Sequence, residues 1–213
     1  MSKIFYPSQE KYISSFRKEP DELLKEIEEF AKENIVPILS WQAAEFIEQL
    51  VLMTNPERVL EIGTAIAYTS IRIARNLKKK SAIHTIELSK DNIKKAKEFI
   101  AKSGIGDKIK LIEGDALKVM PGLKTKYDLI FLDADKEDYK RLFEYSMALL
   151  KKGGVIVIDN LLWQGYAAAQ KVPSKYKIST EHIREFNKTF IQQPNLRTTI
   201  LPIGDGIGLG IKK

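Results

Sequence analysis

Cysteine is absent from this chain of 213 residues. That excludes disulfides, thiolate nucleophiles and cysteine-ligated zinc. Histidine is scarce: His84 and His182 are the whole supply, and their separation matches no metal-ligand spacing. Both are read as structural. No apolar run reaches the roughly 18 residues that a membrane helix needs. The first residues, MSKIFYPSQEKYISSF, lack the basic flank, the long apolar stretch and the small-residue cleavage site of a leader. A cytoplasmic protein without membrane association is expected. Internal repeats and low-complexity tracts are also missing.

What remains is an ordinary globular composition, 44% hydrophobic and 30% charged, long enough for one well-filled core. One domain over 1–213 is expected, with a helical extension at 1–55 and an α/β core at 56–213. The net charge is +7 and is unevenly spread. Lys78 to Lys110 holds ten lysines against four acids, and Lys171 to Lys213 holds eight basic residues against three acids. Such excess attracts polyanions; a solvated helix face explains it equally simply.

Within the extension, Leu23, Leu24, Ile27 and Phe30 fall at helical spacing after Pro20-Asp21. The Val36-Pro37 pair interrupts the pattern. A second helix follows, with Ser40 as N-cap. After Pro56 the pattern changes. RVLEIGT, AIHTIEL, IKLIEGD, YDLIFLDA and GGVIVIDN are near-continuous apolar runs, separated by helical stretches at Tyr68–Leu77, Asp91–Ser103, around Leu117 and at Glu137–Leu150. Strands apolar on both faces belong in a parallel sheet covered by helices. At the end, LRTTILPIG and GIGLGIKK flank Gly204-Asp205-Gly206, an antiparallel hairpin. The expected fold is a Rossmann-like, doubly wound α/β sheet of seven strands, mostly parallel, closing on that hairpin. Between the fifth strand and the last helix, residues 161–178 lack periodicity, as an active-site loop would.

Ligands of open α/β sheets bind beyond the carboxyl ends of the strands. Gly63 permits a tight turn after the first strand. Glu87, at the end of the second, follows Gly63 by 24 residues, close to the interval at which an acid meets a ribose. Asp115 and Ala116 follow the third strand, where a carboxylate can face an adenine amino group. The alternative is that Glu87 and Asp115 cap helices. Diphosphate cofactors require G-x-G-x-x-G, whereas this chain has Gly63, Ala65 and Ala67. A cationic nucleoside without phosphate, such as S-adenosylmethionine, fits better, and Glu61 suits its positive charge.

Asp133 ends the fourth strand, and Asp159 with Asn160 ends the fifth. Neighbouring strands lie about 5 Å apart. Two such carboxylates repel unless one is protonated or a cation lies between them. Oxygen ligands alone select a hard divalent ion: Mg²⁺, with Mn²⁺ or Ca²⁺ as alternatives. Loop and helix capping without metal is the competing explanation. Lys136 lies one short turn past Asp133. A metal cation beside it disfavours the ammonium form, which suits it to general-base work.

Together these residues resemble the small cation-dependent O-methyltransferases, the family of catechol and caffeoyl-CoA O-methyltransferases and their bacterial relatives. The resemblance runs through NIVPILS, EIGTAIAYTS, TIE, GDA, FLDADK, DNLLWQG and PIGDGIGLGIKK, nearly the whole chain. It implies S-adenosylmethionine contacts at Leu39, Gly63, Thr69, Glu87, Asp115 and Asp133. It implies metal ligation by Asp133, Asp159 and Asn160, and Lys136 as the base. Family members often have glycine where Ala67 stands. ENIVPI, LEIGTAIAY and PIGDGI are most similar to a branch that methylates 5-hydroxyuridine at the tRNA wobble position. That implies tRNA as partner, with Trp163 or Tyr166 stacking on a base. The alternative acceptor is a small catechol or hydroxycinnamoyl compound. A homodimer through the N-terminal helices is expected as well. A non-catalytic nucleotide-binding module is a third reading, and the combination of Asp133, Lys136, Asp159 and Asn160 argues against it.

Overall fold

The computed structural model describes residues 6–213. Residues 1–5, the start of the stretch read above as lacking leader features, lie outside them. No helix among the described residues is long and apolar enough to cross a membrane.

Three helices come first: α1 (Pro7–Ser14), α2 (Glu22–Glu33) and α3 (Trp41–Thr54). Asp21 caps α2 by accepting from the Leu24 N–H at 3.1 Å, and Ser40 caps α3 by accepting from the Ala43 N–H at 3.3 Å. These bonds satisfy N–H groups that a helix start leaves orphaned. Leu24, Ile27 and Ala31 form the buried stripe of α2. None of the α1 residues is buried.

The strands are β1 (Arg58–Ile62), β2 (Ala82–Glu87), β3 (Ile109–Glu113), β4 (Tyr127–Leu132), β5 (Leu150–Ile158), β6 (Leu196–Leu201) and β7 (Ile207–Lys212). They form one seven-stranded sheet in the order β3-β2-β1-β4-β5-β7-β6. The first five strands run parallel, and β7 pairs antiparallel with both β5 and β6. The doubly wound sheet with its terminal hairpin is therefore as expected. The hairpin is inserted so that β7, not β6, lies beside β5.

Strand alternation divides the core. Val59, Leu129, Phe131, Val155 and Val157 face a layer that includes α2, α3, α4 (Tyr68–Asn76) and α5 (Lys90–Lys102). Leu60, Ile62, Ile130, Leu132, Ile156 and Ile158 face a layer with α7 (Tyr139–Leu149) and α8 (Lys177–Ile191). The short α6 (Ala116–Val119) follows β3. The helical stretch expected from Glu137 begins as a 3₁₀ turn, Lys136–Asp138, before α7. The loop expected over 161–178 carries two 3₁₀ turns, and its last residues already belong to α8.

Strand order reverses between β1 and β4, since β2 and β3 lie on one side of β1 and β4 and β5 on the other. Ile62 pairs with Leu132, and Leu132 with Ile158. The backbone continues this register past the strand ends. Asp133 N–H donates to Ile62 O at 2.9 Å, and Asp159 N–H donates to Leu132 O at 3.1 Å. Gly63, Asp133 and Asp159 thus occupy successive places along one rim, at the topological switch point where open sheets bind ligands.

Candidate active site

A cleft of about 580 Å³ lies along this rim, within the size range of small-molecule sites. Its floor is the turn after β1. Gly63 takes φ +98°, and a Cβ there would meet Asp133 O at 1.8 Å. Only glycine allows the two strand ends to approach so closely. Ala65 and Ala67 also take left-handed φ, 46° and 70°. The turn therefore keeps positive φ at alternate positions although glycine is present only at the first. Ala67 thus holds a conformation that glycine adopts without strain.

Of the residues predicted to meet a nucleoside, Gly63, Glu87, Asp115, Ala116 and Asp133 line the cleft. Glu87 accepts from the Ala65 N–H at 2.7 Å through one oxygen, and from the Leu88 and Ser89 N–H groups at 3.0 and 2.8 Å through the other. Asp115 accepts from the Leu117 N–H at 2.9 Å and caps α6. Asp115 thus combines capping with cleft lining, whereas Glu87 ties the turn after β1 to the turn after β2 and Ser89, not Glu87, caps α5.

Leu39, Glu61 and Thr69 are not among the lining residues. Leu39 is buried in the core, beside Pro37 and Ile38, which do reach the cleft. Thr69 is buried in the first turn of α4. Glu61 was expected to face the ligand's charge; instead it sits behind the wall. Its strand position, in phase with Val59, turns it toward α4, where it is fully buried. Ser70 Oγ donates to it, and Thr85 Oγ1 donates at 2.6 Å. Burial pushes its carboxyl up to about 8.

The acids after β4 and β5 do converge. Lys136 Nζ donates to Asn160 Oδ1 at 2.6 Å, Ala134 O at 2.8 Å and Tyr139 Oη at 2.9 Å, and lies 3.5 Å from Asp133 Oδ1. Asp159 is 5% exposed, and its Oδ1 has no hydrogen-bond partner. Burial and the neighbouring Asp133 push its carboxyl up to about 8. Asn160 adopts φ 61° and donates through Nδ2 to Asp159 Oδ2 at 3.2 Å. This orientation turns Oδ1 toward Lys136. The rim thus has two carboxylates, one of them with an orphaned buried oxygen, and an amide oxygen. Among the described residues no group of three histidine, cysteine, aspartate or glutamate side chains gathers as a metal cluster; the set here has two carboxylates and completes itself with an amide. Its all-oxygen character and the unpartnered Asp159 Oδ1 fit a hard divalent cation. Lys136 Nζ lies among these oxygens, within reach of Asp133 and Asn160.

Asp205 joins this group, and sequence reasoning had read it only as a turn residue. Asn160 Nδ2 lies 3.4 Å from Asp205 Oδ2, and the Gln164 N–H donates to Asp205 Oδ1 at 2.5 Å. Burial raises its carboxyl above the usual range. The PIGDGI motif was the available signal. Trp163 lines the cleft with the Lys136 ammonium 5.6 Å from its ring centre. Tyr166 is stacked on Tyr176, ring centres 5.1 Å apart.

With that geometry established, comparison with known proteins identifies the class. The family model described as O-methyltransferase matches residues 13–213, and the chain belongs to that family. Among curated relatives, caffeoyl-CoA O-methyltransferase 1 of Eucalyptus globulus is 31% identical over 209 residues, 92% of this chain and 83% of the relative. Among solved structures, the Bacillus cereus O-methyltransferase in complex with SAH is 25% identical, with a TM-score of 0.84 and 97% of each chain covered. TomG of Streptomyces achromogenes, an O-methyltransferase of tomaymycin synthesis in complex with SAM, is 25% identical with a TM-score of 0.85, covering 97% of this chain and 96% of its own.

Proposed function

We propose that this protein is a divalent-cation-dependent O-methyltransferase that uses S-adenosylmethionine and acts on an acceptor with two adjacent oxygens. The observation that carries the reading is the convergence of Asp133, Asp159 and Asn160 around the Lys136 amine. The SAM- and SAH-bound relatives support the donor. Gly63, Glu87, Asp115 and Ala116 would hold its adenosine part, and Asp133 would face its cationic end. Leu39, Thr69 and Glu61 would act from behind, by fixing the walls.

Asp133, Asp159 and Asn160 would hold the cation. Once bound, it would supply Lewis acidity that favours the ionised acceptor hydroxyl. Lys136, as the free amine, accepts the hydroxyl proton at Nζ. The acceptor oxygen then forms a bond to the donor's methyl carbon as the carbon–sulfur bond breaks. The products are a methyl ether and S-adenosylhomocysteine. Tyr139 and Ala134 O hold the lysine in place, and orientation of this kind accounts for a large part of a barrier reduction.

For the acceptor, a small catechol or hydroxycinnamoyl compound is the favoured reading. Acids dominate the cleft: Glu87, Asp115, Asp133, Asp138, Asp159 and Asp205 line it, with Lys136 among them. Such a wall suits a neutral ring better than a phosphodiester, and the names of curated relatives point to a caffeoyl ring as the methylated group. The second reading is 5-hydroxyuridine at the tRNA wobble position, whose 5-oxygen and 4-carbonyl form a comparable pair. The basic excess of residues 78–110 and 171–213 supports it. Labelled methyl transfer to simple catechols, and in parallel to bulk tRNA from a strain lacking the protein, separates the two. Transfer that persists undiminished in excess chelator would refute the cation's role.

A further inference from the structure

A second hollow, of about 590 Å³, opens between α1, α3 and the turn joining β6 to β7. Its apolar walls are Ile13, Trp41, Phe46, Pro202 and Ile203. The charged groups on it, among the described residues, are the acids Glu10, Glu45 and Asp205. Arg17 lies nearby, 5.7 Å over the Trp41 ring, but it is committed to both oxygens of Glu28 at 2.6 and 2.7 Å.

This hollow adjoins the cleft. Gln164 and Asp205 line both spaces, and the bond from the Gln164 N–H to Asp205 Oδ1 makes them a single partition. The partition is braced from below. Gly204 packs on Ser40, the cap of α3, and the Leu162 N–H donates to Asp205 O at 2.9 Å. The apolar space thus begins on the far side of Asp205 from Lys136.

We propose that the second hollow binds the non-reacting extension of the methyl acceptor, and that this extension is apolar and uncharged. The inference rests on the proposed transfer at Lys136 only in placing the acceptor's ring in the cleft. The volume is that of a small-ligand site. The walls offer an indole, a phenyl ring and aliphatic groups, which gain by excluding water. Three carboxylates, with no lining cation among the described residues, repel a phosphorylated or carboxylated extension. The acceptor class is a dihydroxyaryl compound with an alkyl or aryl substituent.

Trp41 and Trp163 are the only tryptophans, so Trp163→Phe leaves Trp41 as the sole indole. That variant is titrated with catechol, with 4-hexylcatechol, with a catechol bearing an alkyl phosphate, and with an anticodon stem-loop RNA carrying 5-hydroxyuridine. Indole emission is followed under selective excitation, and methyl transfer is measured separately with the unaltered protein. The expected result is a shift of Trp41 emission with 4-hexylcatechol alone. Its affinity should exceed that of catechol by about tenfold or more, given the usual gain per buried methylene. Trp41→Ala should raise the KM for 4-hexylcatechol about tenfold and leave that for catechol within about twofold. Equal affinities for the two catechols with unchanged emission would overturn the proposal, as would a shift produced only by the phosphate or the RNA. Emission that shifts without any methyl transfer would sink the transfer reading and leave the hollow's role standing. Transfer to catechol with no gain from the hexyl chain would do the reverse.

Discussion

Replacing Lys136 by methionine keeps most of the side-chain volume and removes the amine. Two effects follow, of opposite sign. Turnover loses its proton acceptor, and general-base removal costs about 10²–10⁴-fold. Metal binding should strengthen. The ammonium now lies 3.5 Å from Asp133 Oδ1 and 2.6 Å from Asn160 Oδ1, so an entering cation competes with it for both. At an effective dielectric of about 20, two unit charges at that separation interact by about 5 kcal/mol. The Asp133 side chain is 33% exposed, and solvent screening reduces the usable part to ~1–3 kcal/mol. The variant should bind Mn²⁺ about 10- to 100-fold more tightly. Isothermal titration calorimetry gives the affinity, and labelled methyl transfer to a catechol gives the turnover. A folded Lys136→Met protein that binds the ion no better than the wild type would refute the competition. One retaining more than about a tenth of wild-type turnover would refute the role as base.

Gly63→Ala forces a Cβ into Asp133 O and strains a positive φ. We expect a loss of roughly 3 kcal/mol or more, a Tm drop of about 6–12 °C by calorimetry, with turnover falling in the surviving fold. An unchanged Tm would contradict the close approach of the strand ends. Glu61, held up at about 8 in the fold, binds its proton more tightly folded than unfolded. Its contribution is therefore fully present below the ordinary carboxylate range and is lost as pH rises through about 8. Chemical denaturation from pH 5 to pH 8 should show wild-type stability falling, and Glu61→Gln should flatten that slope; parallel slopes would count against a protonated Glu61. Asp159 is likewise pushed up to about 8, so a proton competes with the cation below that value. Metal affinity measured by calorimetry should rise from pH 6 to pH 8, and a flat profile would contradict a protonated Asp159 in the metal-free fold.

The parallel sheet was readable because strands covered on both faces are written as unbroken apolar runs, and the acids after β4 and β5 break those runs abruptly. Their side-by-side placement needs only neighbouring strands, which the observed register provides. The same unbroken character hides which way each side chain points. Glu61 lies in such a run, and alternation with Val59 turned it toward α4, away from the cleft. Asp205 was read only as a turn residue for a different reason. A hairpin announces its own turn, but not its place in the sheet. Only the insertion of β7 next to β5 carries that turn to Asn160 and Gln164. Asp115 shows the limit of a motif read alone: the carboxylate expected at an adenine edge also caps α6.

The proposed cation site is tested most directly by titrating Mn²⁺ at pH 8 into the wild type and into Asp159→Ala, with labelled methyl transfer followed in the same samples. The wild type should take up one ion per chain and gain turnover in step with occupancy, whereas the variant should show neither. Full turnover in metal-free wild type, or equal uptake by the variant, would contradict the assignment of these three oxygens.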